Sequence, residues 1–198
     1  KGQNPKGQIE MSEGVRRKLT TILCADVKGY SRLMGADEEG TLRTLKDYRS
    51  AMQRLVERHH GRVFSIAGDS LLAEFESVVE AVTAAAETQS ELATRNHDLS
   101  ADRQMEFRIG INLGDVIVDG DDLYGEGVNV AARLEGLSKP GGIFISGTVY
   151  DQIKNKFSMR FDFMGDQKVK NIEDQVPVYS IHFEGQATHS RSESAKAP

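Results

Sequence analysis

Asn129 and Arg133 stand four residues apart in the segment Asp122-Leu123-Tyr124-Gly125-Glu126-Gly127-Val128-Asn129-Val130-Ala131-Ala132-Arg133. Glycines punctuate its first half and a helix-forming run fills its second. The segment is therefore expected to be a loop entering a helix over about residues 127–137. On a helix, side chains four apart lie one above the other. An amide beside a guanidinium suits a ligand with a sugar and a phosphate. The amide can orient a ribose, and the guanidinium offers a planar fork to phosphate oxygens. The plainer alternative is a surface Asn and Arg on an amphipathic helix, with Val128, Ala131, Ala132 and Leu134 packing inward. The segment taken alone favours that alternative.

Two carboxylates change the balance. Asp26 follows an apolar run, and Asp69 sits in Ala67-Gly68-Asp69-Ser70 between two β-prone stretches. If the two strands are neighbours, their ends bring the carboxylates together. Close carboxylates repel, and one protonates unless a cation intervenes. Mg²⁺ typically uses one or two carboxylates plus substrate phosphate oxygens. A pair of such ions is the usual clamp for in-line displacement at phosphorus. Gly29, just past Asp26, would let backbone N–H groups approach phosphates closely. The ordinary alternatives are turn chemistry for Asp69 and a helix cap for Asp26.

The elements that must position these groups are legible. Residues 19–25 are apolar and β-prone, as for a central strand. Residues 37–58 carry Leu42, Leu45, Met52, Leu55 and Val56 at helical spacing. Residues 63–66 and 71–75 form a hairpin about Gly68-Asp69. Ser77 with Glu80 opens an Ala-rich helix to about residue 94. Residues 105–113 and 116–118 are expected to form a second hairpin about Gly114-Asp115. The helix with Asn129 stops before Lys139-Pro140-Gly141-Gly142. A strand (143–145), a helix (148–154) and late strands near Phe161 and at 178–182 follow. The order β-α-β-β-α-β predicts an α+β fold, a ferredoxin-like split βαβ core with additional strands and helices. Residues 1–16 are expected to be a linker or cloning remnant, with Met11 a natural start. Residues 17–184 would form the domain, and 185–198 a disordered tail.

Composition narrows the function. The 198 residues carry 25 Lys+Arg against 30 Asp+Glu, a net charge of −5. No basic block offers a nucleic acid its counter-charge. No apolar run is long enough to span a bilayer, so no membrane contact is expected of this segment. Cys24 is the only cysteine, which excludes an intrachain disulfide and fits the cytoplasm. It is expected in the core. The histidines lack metal-ligand spacing, and His59-His60 is expected at a helix end.

Taken in order, the motifs resemble those of class III nucleotidyl cyclases. Asp26-Val27-Lys28-Gly29-Tyr30-Ser31 is similar to that family's first metal motif, and Gly68-Asp69 to its second. Gly125 through Arg133 is similar to its G-x-x-V-N-x-A-A/S-R transition-state motif. Gln167-Lys168-Val169-Lys170-Asn171-Ile172 resembles its late lysine motif. The resemblance implies that Asp26 and Asp69, with the Val27 carbonyl, bind two divalent cations, Mg²⁺ or Mn²⁺. It implies that Arg133 stabilises charge at the α-phosphate, that Asn129 holds the ribose, and that Lys170 meets the β- and γ-phosphates. Gly29 and Tyr30 fall in the substrate-binding set. The product would be a 3′,5′-cyclic nucleotide, made between two domains packed head to tail. A homodimer is the expected form, as a piece of a longer protein with a fused sensor or membrane domain.

Base choice falls on two positions. Adenylyl cyclases of the family pair a Lys with an Asp or Thr. Asp122 occupies the second position, where its carboxylate can accept from the adenine amine. Ser65 occupies the first, a departure from Lys. The Glu and Cys of guanylyl cyclases are absent from both, so ATP is the expected substrate. A guanylyl cyclase and a catalytically degenerate, nucleotide-binding regulatory domain are the alternatives. A diguanylate cyclase would need the missing G-G-D-E-F signature.

Overall fold

The central strand β1 (Arg17–Val27) alternates two sets of neighbours. Leu23, Ala25 and Val27 join the main core, whereas Ile22 and Cys24 pack on the opposite face. Asp26 shares that second face by the two-residue period of a strand. The computed structural model describes residues 16–168 and 175–183. Around β1 the described residues build a sheet of order β2-β3-β1-β4-β6-β8-β7, with β5 paired to β4. The strands are β2 (Arg62–Ala67), β3 (Ser70–Phe75), β4 (Phe107–Asp119), β5 (Asp122–Tyr124), β6 (Ile143–Ser146), β7 (Arg160–Lys168) and β8 (Gln175–His182). The run β2-β3-β1-β4, with its antiparallel β1–β3 and β1–β4 pairs, is the expected split βαβ core.

Helices α1 (Tyr30–Ala36), α2 (Glu38–Arg58), α3 (Val78–Asn96) and α5 (Gly147–Ile153) cover the main-core face. Asp37 caps α2 by accepting from the Gly40 amide, and Ser77 caps α3 by accepting from the Glu80 amide. His59 ends α2, with its ring nitrogens 2.8 and 3.1 Å from Glu80 and Glu87 of α3. That role is structural. No helix of the described residues is long and apolar enough to cross a membrane.

The other face is covered by α4 (Glu126–Leu137). Its Ala131 packs on Ile22 and Cys24, and its Val130 and Leu134 pack with Phe144 and Val178. The helix lies very close to β4. A Cβ on Gly110 would stand 2.2 Å from the Ala131 carbonyl oxygen and 2.2 Å from the Glu135 nitrogen. Gly114 meets the Gly127 backbone at 3.1 Å in the same way.

Two expectations are corrected here. Gly114-Asp115 is no turn, because β4 continues through it to Asp119. Gly114 is glycine because α4 rests on it, and the hairpin falls at Gly120-Asp121, between the paired Asp119 and Asp122. Ala132 is exposed rather than packed inward.

The close approach yields a paired prediction. Gly110→Ala should destabilise the chain by about 2 kcal/mol or more, as overpacking against backbone does. Gly136→Ala, with nothing within 4 Å of the added carbon, should be neutral or slightly stabilising. Urea unfolding of the two variants checks this, and equal midpoints would contradict it.

Candidate active site

Asp26 and Asp69 do come together. Asp26 is the penultimate residue of β1, and Asp69 lies in the two-residue turn between β2 and β3. Since β3 pairs with β1, the turn arrives beside the end of β1. Gly68 takes φ +58°, which lets the chain reverse there. Arg49 of α2 donates to the Gly68 carbonyl and anchors the tip. The Val27 amide donates to the Asp69 carboxylate. Burial, and then the Asp26 charge, push the Asp69 carboxyl above its ordinary value of 3.8. These are two acids in one seat, the situation a cation relieves. Asp26 does not cap α1, whose N-cap is Gly29 at φ +73°.

Both Asp26 oxygens already accept a hydrogen bond. Ser70 Oγ donates to Oδ1 at 2.7 Å, and Arg108 Nη2 donates to Oδ2 at 3.2 Å. A carboxylate offers about four lone-pair directions. Room for metal coordination therefore remains, with hard oxygen donors that fit Mg²⁺ or Mn²⁺. Arg108 is the direct register partner of Asp26 in the β1–β4 ladder. Its Nη2 also lies 2.7 Å from Glu135 Oε1, and its Nη1 donates to the Gly136 carbonyl at 3.2 Å. Glu135 is 8 % exposed. Burial pushes its carboxyl up to about 7; Arg108 opposes that shift, and Asp26 and Asp69 add to it. Cys24 lies beneath this cluster. Burial raises its thiol to about 12, so it stays protonated and inert.

The α4 pair faces elsewhere. Asn129 and Arg133 are exposed, and among the described residues neither side chain has a hydrogen-bond or ion-pair partner. Arg133 and Glu135 are two residues apart, which turns them roughly 200° from one another around the helix. Glu135 faces its own chain's carboxylates, and Arg133 faces out.

Of the two base positions, Ser65 lies on the α4 side of the sheet, whereas Asp122 precedes Leu123, which packs on that side, so strand alternation turns Asp122 the other way. Ser65 pairs with Leu72, whose side chain packs in the cluster of Ile22 and Cys24. A bulge between Val63 and Ser65 sets that register. Asp122 begins β5, is exposed, and accepts from Tyr124 Oη at 3.4 Å. Arg62 Nη1 donates to the Asp121 carbonyl at 2.9 Å and ties the start of β5 to β2. Tyr30 packs its ring against the main core, and the Val27 side chain is buried there too. Lys170 lies outside the described residues.

Sequence reasoning missed Ser70, Arg108, Glu135, Gly110 and Gly114. Ser70 could have been found as the neighbour of Asp69 in a tight turn. Arg108 and Glu135 each look like ordinary surface charges until the strand register and the helix position are known.

Residues 13–183 match the model of the adenylate and guanylate cyclase catalytic domain. A putative adenylate cyclase 3 of Rhizobium meliloti (strain 1021) is 42% identical over 187 residues, covering 94% of this chain and 32% of that protein. An adenylate cyclase of Anabaena cylindrica is 28% identical, covering 89% of this chain and 39% of its own length. The chain thus spans 32% and 39% of the length of these two relatives. The crystal structure of an adenylate/guanylate cyclase/hydrolase from Silicibacter pomeroyi superposes with a TM-score of 0.79 at 37% identity, covering 84% of this chain and 97% of that one. The adenylyl cyclase CyaB of P. aeruginosa shares the fold with a TM-score of 0.75 at 23% identity, over 86% of this chain and 97% of that one.

The carboxylate pair makes a metal prediction. Burial, and then repulsion from Asp26, costs the metal-free chain stability as pH rises above 3.8 and Asp69 ionises. Asp69→Asn should therefore raise the metal-free melting temperature at neutral pH. The same variant should lose the stabilisation that Mn²⁺ gives the unaltered chain. An equal Mn²⁺ shift in both would remove Asp69 from the cation seat.

Proposed function

This chain belongs to the adenylate and guanylate cyclase catalytic-domain family, and on that premise we propose that it converts ATP to 3′,5′-cyclic AMP and pyrophosphate. The sites would be shared by two copies packed head to tail. One observation carries the proposal. Asp26 and Asp69 crowd into one seat, while Asn129 and Arg133 are presented outward, without partners among the described residues. One chain thus offers two half-sites that face different ways, and a second copy completes each.

In the reaction the ribose 3′-oxygen attacks the α-phosphorus, and the bond to the leaving pyrophosphate breaks. Two divalent cations, Mg²⁺ or Mn²⁺, held by Asp26, Asp69 and the Val27 carbonyl, would neutralise the triphosphate and favour loss of the 3′-hydroxyl proton. Asn129 orients the ribose so that the 3′-oxygen lines up with phosphorus. Arg133 meets the negative charge that grows on the α-phosphate oxygens. The Gly29 turn brings backbone close to the phosphates, with Tyr30 packed behind it. Lys170 draws off pyrophosphate.

Asp122 favours adenine, because its carboxylate accepts from the exocyclic amine. Guanine presents a carbonyl there, which a carboxylate repels. Relatives named adenylate cyclase support the same choice. Ser65 donates one neutral hydrogen bond where a Lys would bring charge.

Complementation tests the shared site. Asp26→Ala and Arg133→Ala should each lose about 100-fold or more in activity. Mixed, they should recover to about a quarter of the unaltered rate, since about half the dimers carry one working site of two. No recovery in a mixture shown to exchange subunits would contradict the arrangement. A second variant tests the base pocket. Ser65→Lys should lower the KM for ATP, and an unchanged or higher KM would take Ser65 out of that pocket.

A further inference from the structure

Arg108 stands between Asp26 and Glu135. It is a cation already lodged beside the seat that the metal ions need. Nη2 is nearer to Glu135, at 2.7 Å, than to Asp26, at 3.2 Å. The side chains of all three are largely buried, at 17%, 21% and 10% exposure for Arg108, Asp26 and Glu135. Buried charges in such a cluster interact strongly. A guanidinium prefers to engage a carboxylate with both prongs of its fork. Here it does not do so with Asp26, to which it gives a single hydrogen bond.

Two atoms remain unsaturated. Among the described residues, Arg108 Nε and Glu135 Oε1 have no directed hydrogen bond, although Oε1 is in ion-pair range of Nη2. Glu135 therefore pulls on the guanidinium by charge without locking it. The fold is built to bring that carboxylate here. Arg108 and Gly110 lie two apart on β4 and so share a face. Bare Gly110 lets α4 settle until the Glu135 backbone lies directly over the strand. The Gly136 carbonyl, next along the helix, receives Nη1.

We propose that Glu135 is a positioning residue that holds Arg108 back from Asp26. It keeps the Asp26 lone pairs open to a divalent cation instead of letting the guanidinium take the seat. This rests on the two-carboxylate reading of the proposed function. One consequence is that each α4 serves two sites. Asn129 and Arg133 act in the partner's half, and Glu135 tunes the carboxylate half of its own chain. The plain alternative is that Glu135 only neutralises a buried arginine and holds α4 down.

Glu135→Gln keeps the shape and removes the charge. Arg108 should then close on Asp26 and compete with the metal. Mn²⁺ binding, followed by the electron paramagnetic resonance of the free ion in the presence of 3′-deoxy-ATP, which cannot cyclise, should weaken about tenfold. In the Asp26→Ala and Arg133→Ala mixture, the one working site takes its metals from the Arg133→Ala copy. Glu135→Gln on that copy should raise the Mn²⁺ concentration for half-maximal rate about tenfold, with kcat at saturating Mn²⁺ far less affected. On the Asp26→Ala copy it should leave the Mn²⁺ dependence where it was.

Equal effects from the two placements, or unchanged Mn²⁺ binding, would overturn the proposal in favour of a purely structural Glu135. If the mixture without Glu135→Gln is already inactive, the shared-site reading fails by itself. The resonance titration on the single-variant chain still decides the role of Glu135. Should Glu135→Gln not fold, Glu135→Asp moves the charge one carbon away from Arg108. It should weaken Mn²⁺ binding in the same direction, and unchanged binding would count against the proposal.

Discussion

Two carboxylates held side by side at the end of a central strand set the terms for the rest of this structure. Asp26 and Asp69 resist being brought together; burial, and then the Asp26 charge, raises the Asp69 carboxyl above its ordinary value. The fold enforces the contact by means that lie outside the charges. Antiparallel pairing of β3 with β1 delivers the turn, Gly68 allows the reversal, and Arg49 and the Val27 amide fix the tip. The burial of Leu23, Ala25 and Val27 on one face of β1 leaves Asp26 no choice of direction. Hydrophobic packing on one side of the sheet thus stores electrostatic repulsion on the other. A cation bound between the carboxylates would relieve that repulsion.

Helix α4 shows how one element serves opposite demands. Its inward face is apolar at Val130, Ala131 and Leu134, and it sits on β4 where Gly110 and Gly114 have no side chains. That intimacy fixes the direction of everything the helix carries. Asn129 and Arg133 come out on the exposed side, and Glu135 comes down beside Arg108. A helix held farther off by a single methyl group would leave Glu135 above its partner rather than against it.

Much of this was legible in the residues. The split βαβ order followed from periodicity and turn signals, and the Asp26–Asp69 meeting followed from the strand order that such a core implies. The roles proposed for Gly125 through Arg133 rest on a family resemblance rather than on spacing alone. What stayed hidden depended on tertiary approach. Gly114-Asp115 has the composition of a hairpin turn, and only the Gly127 backbone at 3.1 Å explains a glycine inside an unbroken strand. Arg108 and Glu135 are 27 residues apart and meet only through the seating of α4 on β4, while the β1–β4 register sets Arg108 beside Asp26. Ala132 looked like a core residue because an alanine fits either side of a helix.

The central claim is that this chain closes ATP into a cyclic nucleotide, and a product assay reaches it most directly. Purified chain incubated with ATP and Mn²⁺, and separately with GTP, should yield cyclic AMP and pyrophosphate in equal amounts, with far less product from GTP. Release of ADP and phosphate, preferential formation of cyclic GMP, or no product from a chain shown to be dimeric would contradict the account.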